Sequence, residues 1–512
     1  MVLASASVVN ALIWMPVSAL AIALPAIHDE LGSSFTELQW MITGYTLAVA
    51  ALLVVMGRIG DLFGRRRLFL IGCAVFSLGA LVAALAQSTT WLIAAMPVVG
   101  VGAAIAGPTS LALVVDAFPT GRQGWAIGIW GAASGLGSAI GPAVGGLLTQ
   151  GIDWRAVLWI NVPIVLVALA VAAATARESR EPADEARIDA PGAMTLAGAM
   201  TAGILALMQG ATWGWGSPGV VALLAAALVL GTAFVVLDLR VRAPLVPLRE
   251  FAQRSFVGSS VVLLIGNIVL ASLLFILPLY LQNIVERSAL SAGLVLLPAT
   301  ATLMLLSPVS GVITDRIGPR VPMMAGIVAT AVGVYLLSDL HAGSSPAALI
   351  PGLLVIGVGF GLEITPVNVA ALQSVPTARR GTASGVLIAL GMLGSTLGIA
   401  AFGAAFGALG RDRLPDQLAR AHVTVSSDEV ETLDTVLTGA DSAEHALEGY
   451  SRARAERIDR AVETTFVSAL DDVLKVEAAV ALLALGGAAV IPRRRRQAPS
   501  RPAATSAPAR GP

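Results

Sequence analysis

Two long, almost uncharged runs, Leu38–Met56 and Leu68–Ala86, are separated only by the stretch Gly57–Arg67, which reads GRIGDLFGRRR. Each run matches the roughly 20 apolar residues that a helix needs to cross a bilayer core. In lipid a backbone must satisfy its own N–H and C=O groups, and a helix does so within one segment. The pair therefore reads as two membrane helices joined by a tight turn. Gly57, Gly60 and Gly64 permit a close turn. Arg58, Arg65, Arg66 and Arg67 mark it as cytoplasmic, because short inner loops collect basic residues.

The rest of the chain has the same character. Charged residues make up 12% and hydrophobic ones 56%, against roughly 25% and 45–50% in a soluble domain. An integral membrane protein is expected rather than a globular enzyme. Basic and acidic residues balance to zero net charge, so nothing points to a nucleic-acid partner. The one cysteine, Cys73, falls inside an apolar run and reads as a small packing residue. His28, His341, His422 and His445 fall near or in outer loops, so no histidine is placed for a mid-membrane proton relay. The only lysine is Lys475, preceded by Leu474. A phosphate-binding P-loop needs Gly-Lys, so no ATP site and no cofactor is expected.

Hydropathy gives about fourteen spans, the first at 4–27 and the last two at 381–408 and 469–491. With the N-terminus inside, Arg122, Arg177, Arg240, Arg249, Arg316, Arg320, Arg379 and Arg380 all fall in inner loops, while short outer loops hold only Arg155 and Arg287. That asymmetry favours an even count with both termini cytoplasmic. An internal repeat agrees with it. GVITDRIGPR after the tenth span echoes GRIGDLFGRR, with Asp315 for Asp61 and Gly318 for Gly64. GTASGVLIALGMLGSTLG in span thirteen echoes GIWGAASGLGSAIGPAVGG in span five. The expected fold is all-α: two six-helix halves with an inserted helix pair. The divisions are 1–176, a linker and inserted pair at 177–254, 255–491 with a polar outer segment at 409–468, and a disordered cytoplasmic tail at 492–512. Ser426 and Glu429 suggest a capping box within that outer segment.

Two further places carry candidate chemistry. Gly137, Gly141 and Gly145 recur every four residues, so they share one helix face and admit another backbone closely. Pro142 removes a hydrogen bond from the same span and can bend it. Glu363, in VIGVGFGLEITPVN, is the only acid expected deep in the membrane. Intramembrane acids are costly and functional by default, so Glu363 is the candidate for taking up a proton or binding a cationic substrate; the alternative is a protonated or hydrogen-bonded packing residue near Asn267 or Asn368. Asp116, Asp238 and Asp339 lie near span ends and are expected at the interface. Trp40, Trp125, Trp130, Trp213 and Trp215 are likewise read as interfacial, with none assigned to a substrate pocket.

The turn of Gly57, Gly60, Asp61, Gly64, Arg65 and Arg66 resembles the signature loop of the major facilitator superfamily. Gly311, Asp315, Arg316, Gly318 and Arg320 are its counterpart in the second half. Gly141-Pro142 followed by Gly145 and Gly146 resembles the fifth-helix motif of proton-coupled drug exporters. ALPAI (23–27), LQWMITGYTLA (38–48), WINVP (159–163) and LPLYLQ (277–282) resemble the fourteen-helix drug:proton antiporter branch. The resemblance implies a gating role for Asp61 and Arg65, which would latch the halves on the cytoplasmic side. Because Asp61 sits at a helix end, its loss is expected to leave no buried charge unpaired. Two positions depart from the branch: Pro16 stands where the first helix usually has aspartate, and Met96 where the fourth usually has arginine. The family ties those charges to proton coupling, which leaves Glu363 as the remaining candidate.

The expectation is a non-enzymatic exporter of hydrophobic or amphipathic compounds in the cell membrane, in contact with lipid, exchanging substrate for protons by alternating access. The alternatives are a facilitator or lipid-type transporter without proton coupling, and a non-transporting membrane sensor on the same fold.

Overall fold

A computed structural model describes residues 1–119, 121–179, 189–241, 243–341, 343–423 and 451–492. The described residues form helices and no strands. The first half comprises α1 (Val2–Leu31), α2 (Phe35–Phe63), α3 (Arg65–Ala84), α4 (Thr89–Ala117), α5 (Gln123–Gly151), the single turn α6 (Ala156–Trp159) and α7 (Asn161–Thr175). Then come α8 (Ala190–Trp213), α9 (Pro218–Arg240) and the short α10 (Leu248–Phe251). The second half comprises α11 (Arg254–Asn283), α12 (Ala289–Ile317), α13 (Arg320–Leu336), α14 (Ile350–Ser374), α15 (Arg380–Arg420) and α16 (Arg452–Val490). Among the described residues, thirteen helical segments are long and apolar enough to span a membrane. The 17-residue α13 stands at the short end of the spanning range.

Local sequence sets where these helices start. Ser34 and Glu37 form a capping box at α2: Glu37 N–H donates to Ser34 Oγ at 3.3 Å, and Ser34 N–H donates to Glu37 Oε2 at 2.7 Å. Ser88, Asp189, Ser217 and Ser288 cap α4, α8, α9 and α12 in the same side-chain-to-backbone manner. Each supplies an acceptor for an N–H that has no partner inside the helix.

The packing repeats between the halves. In the first, α1 lies on α5, α2 on α4, α3 on α4, and α7 on α1 and α3. In the second, α11 lies on α15, α12 on α14, α13 on α14, and α16 on α11 and α13. The halves meet along two crossings, α2 with α15 and α5 with α12. The α8–α9 pair packs mainly on itself, and α8 leans on α2 and α15. Most of α9 is left to face lipid, with Leu228 and Val229 exposed.

Three expectations need correction or fall outside. Segment 409–468 is not simply a polar outer loop: α15 continues to Arg420 and α16 begins at Arg452. Apolar contacts explain the extension, since Leu414, Leu418, Ile458, Val462 and Phe466 share one buried cluster. The first span is likewise longer than 4–27, because Gly32 in a left-handed conformation ends the helix only after Leu31. The Ser426–Glu429 capping box, most of the 177–187 linker and the tail from 493 lie outside the described residues.

Candidate functional site

Asp61 is fully buried in the last turn of α2. Its carboxylate accepts from Arg65 Nε at 2.9 Å and Nη2 at 2.6 Å, from the N–H groups of Gly381 at 2.8 Å and Thr382 at 2.7 Å, and from the Thr382 hydroxyl at 2.8 Å. Gly381 and Thr382 open α15. A helix N-terminus has free N–H groups and a positive dipole end, which favour an anion. An aspartate of the first half thus caps a helix of the second. Arg65, also buried, donates to Thr377 O at 2.5 Å and pairs with Asp116 of α4. Asp116 in turn holds Arg380 Nη1 at 3.2 Å. Two carboxylates and two guanidiniums therefore form a neutral cluster that crosses the interface.

Backbone contact brings the helices this close. A Cβ on Gly57 would stand 2.3 Å from Gly381 O, and one on Gly385 2.6 Å from Leu53 O. Both are far inside van der Waals contact, so only glycine fits.

The same device recurs at the other crossing. Asp315 at the end of α12 accepts from Gly124 N–H at 3.0 Å and Trp125 N–H at 3.1 Å, which open α5. A Cβ on Gly311 would meet Gly124 O at 2.2 Å, and one on Gly128 would meet Ser307 O at 2.4 Å. The chemistry differs in one respect. Pro319 occupies the position four after Asp315, where Arg65 follows Asp61. Gln373 Nε2 donates to Gln123 Oε1 at 3.2 Å where the first crossing has Asp116 and Arg380. Arg316 is exposed, Gly318 takes φ +90°, and Arg320 donates to Ile491 O at 3.4 Å.

The remaining signature residues secure the α2–α3 turn. Gly64 takes φ +111°, a conformation that favours glycine. Glu178 accepts from Arg66 and Arg67 N–H, both at 3.1 Å, and Arg66 Nη2 donates to Ala173 O at 2.6 Å. Gly60 faces Thr109 of α4. Gly137, Gly141 and Gly145 lie against α1, where added Cβ atoms would stand 2.1 Å from Ala11 O, 2.0 Å from Ser18 Oγ and 2.4 Å from Ala19 O. Gly146, with Ile22 at 3.8 Å, has room, and Pro142 lies within α5 without ending it.

Between the halves lies a cavity of about 370 Å³. Its lining begins at Trp130 on α5 and Leu387 on α15, each about 9 Å along its helix from the Gly124 and Gly381 crossings at 1.5 Å per residue. It extends to Leu353, in the first turn of α14 at the end remote from the crossings. Both crossings therefore close one face, and the cavity lies toward the other. The lining is mostly leucine, isoleucine and glycine, with Trp14, Ser134, Asn267, Asn368 and Ser395 as its notable polar or aromatic members. Among the described residues no charged side chain lines it. Such apolar walls with a few polar groups suit a drug-sized ligand.

Four expectations change here. Trp130 is not interfacial: it lines the cavity and donates from Nε1 to Ser110 Oγ at 3.0 Å. Asp116 is not merely a span-end residue, since it joins Arg65 to Arg380. Removal of Asp61 would leave buried partners without an acceptor, because the helix end is covered by the second half. Glu363 is not the only deep acid. It is buried on α14, with Oε1 against Gly266 of α11 and no hydrogen bond to Asn267 or Asn368. Glu477 of α16 is wholly buried as well. Periodicity hid Glu477 behind its neighbours Asp471, Asp472 and Lys475, which made that end of the helix look polar. Gly381 and Thr382 stood in the GTASG echo, but their role depends on a contact with a residue more than 300 positions away.

The sequence model of the Major Facilitator Superfamily matches residues 6–399. The chain is similar to the tetracenomycin C resistance and export protein of Streptomyces glaucescens, 31% identical over 466 residues, 91% of this chain and 86% of that one. It is 35% identical over 384 residues to the puromycin resistance protein pur8 of Streptomyces alboniger, covering 74% of this chain and 76% of that one. It is 30% identical over 495 residues to the drug efflux pump JefA of Mycobacterium tuberculosis, covering 94% and 93%. Its fold matches the human organic anion transporter MFSD10 with TM-score 0.60 at 14% identity, covering 95% of this chain and 98% of that one. It also matches the proton:xylose symporter XylE with TM-score 0.56 at 14% identity, covering 79% and 88%.

Proposed function

The chain belongs to the major facilitator superfamily and is a multi-pass membrane transporter rather than an enzyme, and from that premise we propose that it exports small hydrophobic or amphipathic compounds by alternating access in exchange for protons. Three relatives named for antibiotic resistance or drug efflux support the substrate class. The observation that carries the mechanism is the uncharged cavity between two halves whose mutual contact on one face depends on Asp61 and Asp315. Those contacts must break for the cavity to open on that face.

The arginine-rich turns put the latched face in the cytoplasm. The conformation described is then outward-facing, and both termini are cytoplasmic. The halves 1–176 and 255–491 move relative to each other, with 177–254 as a peripheral pair and linker. Gly137, Gly141 and Gly145 keep α1 and α5 moving as one body. Glu363 binds a transported proton: it faces α11 and α13, while its neighbours Phe360 and Ile364 line the cavity. A change in its charge can therefore reach the substrate site through α14. Pro16 and Met96, both buried and uncharged, favour the second reading, a facilitator without proton coupling.

Proton flux in proteoliposomes under an imposed pH gradient separates the two. Antiport requires proton movement that depends on added substrate, such as a lipophilic antibiotic. Substrate movement with no accompanying proton flux would establish the facilitator instead.

A further inference from the structure

We propose that Glu477 is a second proton-binding site of the transport cycle, placed across α11 from Glu363; the inference rests on the antiport reading above. Glu477 is wholly buried, and neither carboxylate oxygen has a hydrogen-bond partner among the described residues. The Ser272 hydroxyl of α11 faces it without completing a hydrogen bond. Glu363 touches the same helix at Gly266. Gly266 and Ser272 are about 9 Å apart along α11 at 1.5 Å per residue. The acids therefore differ in depth by roughly 9 Å, one on α14 and one on α16, on either side of a helix that lines the cavity with Leu263, Asn267 and Leu270.

No charge near Glu477 explains its presence. Between their ends, the three helices packed on α16 carry nothing ionisable at this depth. On α11 the nearest ionisable groups are Arg254 and Tyr280, on α13 Arg320 and Tyr335, and on α15 Arg380 and Arg411. Within α16, Asp472 is held by Arg413 and Asp471 by Lys475. Apart from the Ser272 hydroxyl, the buried side chains one turn away on α16, Val473 and Ala481, and those near Ser272 on α11, Val269 and Leu273, are apolar. An ionised carboxylate without a partner is very costly in such a place, and leucine or methionine would fill the space without that cost. A group that must be neutral here, and can ionise only when α11 shifts or water enters, is suited to carry a proton through the cycle. The step is a simple exchange: the carboxylate takes a proton on one side and returns it on the other, with no redox change.

The test is the substrate gradient at which net flux stops in proteoliposomes, with the membrane potential clamped to zero and a pH difference of one unit. The probe is a neutral lipophilic antibiotic that the unmutated protein transports. Each coupled proton contributes about a factor of ten per pH unit, or about 1.4 kcal/mol. Two sites give a balance point near 100-fold for the unmutated protein, near tenfold for E477Q or E363Q, and no pH-dependent accumulation for the double variant. E477Q that still balances near 100-fold overturns the proposal while leaving antiport intact. If E477Q does not accumulate in the membrane, the unmutated protein decides alone: a balance point near tenfold leaves no second proton to assign. A balance point indifferent to pH would instead refute the antiport reading, and this inference with it.

Discussion

Replacement of Asp61 by asparagine should unlatch one face of the transporter. Asparagine keeps the shape, but one acceptor becomes an NH₂ group. With its oxygen kept toward Arg65 and Gly381, the NH₂ group faces Thr382 N–H, which Asp61 now receives at 2.7 Å. That bond is lost and two donors oppose each other. The Gly381 bond at 2.8 Å also loses its charge assistance. Hydrogen bonds to charged groups contribute roughly 1.5–3 kcal/mol and neutral ones about 0.5–1.5, so the latched state should lose about 3 kcal/mol. Arg65 and residue 61 are neighbours in both states, so only the bonds to α15 differ between them. At 1.4 kcal/mol per factor of ten, the ratio of latched to unlatched molecules should fall about 100-fold. Spin labels at Phe63 and Val321, exposed residues of opposite halves near the latched face, would report it by pulsed electron resonance in a Cys73→Ala background. The longer distance should become prominent in Asp61→Asn. An unchanged distance distribution would refute the latch and reduce the loop to a topology signal. Asp315→Asn should act in the same direction but more weakly, since the α5 N–H groups reach Asp315 at 3.0 and 3.1 Å, whereas those of α15 reach Asp61 at 2.8 and 2.7 Å with the Thr382 hydroxyl beside them.

Gly137→Ala places a Cβ 2.1 Å from Ala11 O, backbone that cannot yield without moving α1. Overpacking of this kind costs about 1–3 kcal/mol and should lower the midpoint of thermal unfolding in detergent, whereas Gly131→Ala, with open space at its Cβ, should not. Gly57→Ala, 2.3 Å from Gly381 O, should keep the halves apart on that face. It should abolish transport without loss of membrane accumulation, and normal export by this variant would contradict the close crossing. A cysteine at Arg67 should react with a membrane-impermeant thiol reagent only from the cytoplasm and one at Gly216 only from outside; reaction of both from one side would overturn the proposed topology.

The membrane class, the helix pattern and the repeated halves were legible along the chain. Apolar length, arginine placement and the paired Asp61 and Asp315 turns are properties of contiguous residues, and lipid permits few backbone solutions for such runs. The glycine face of 137, 141 and 145 was equally legible, because its period belongs to one helix. What those turns touch was not. Asp61 looked like a surface group at a helix end, and only the second half's α15 buries it. Asp116 and Trp130 looked interfacial because their depth along a helix was known and their direction around it was not. The cavity's lack of charge, and the position of Glu363 behind rather than in it, depend on how five or more helices rotate against one another. Glu477 was hidden for the opposite reason: its sequence neighbours are charged, while the helices packed on α16 bring no ionisable group to its depth. Local composition fixes which solvent a segment must face, whereas burial of one side chain is decided by helices hundreds of residues apart, so only their packing reveals it.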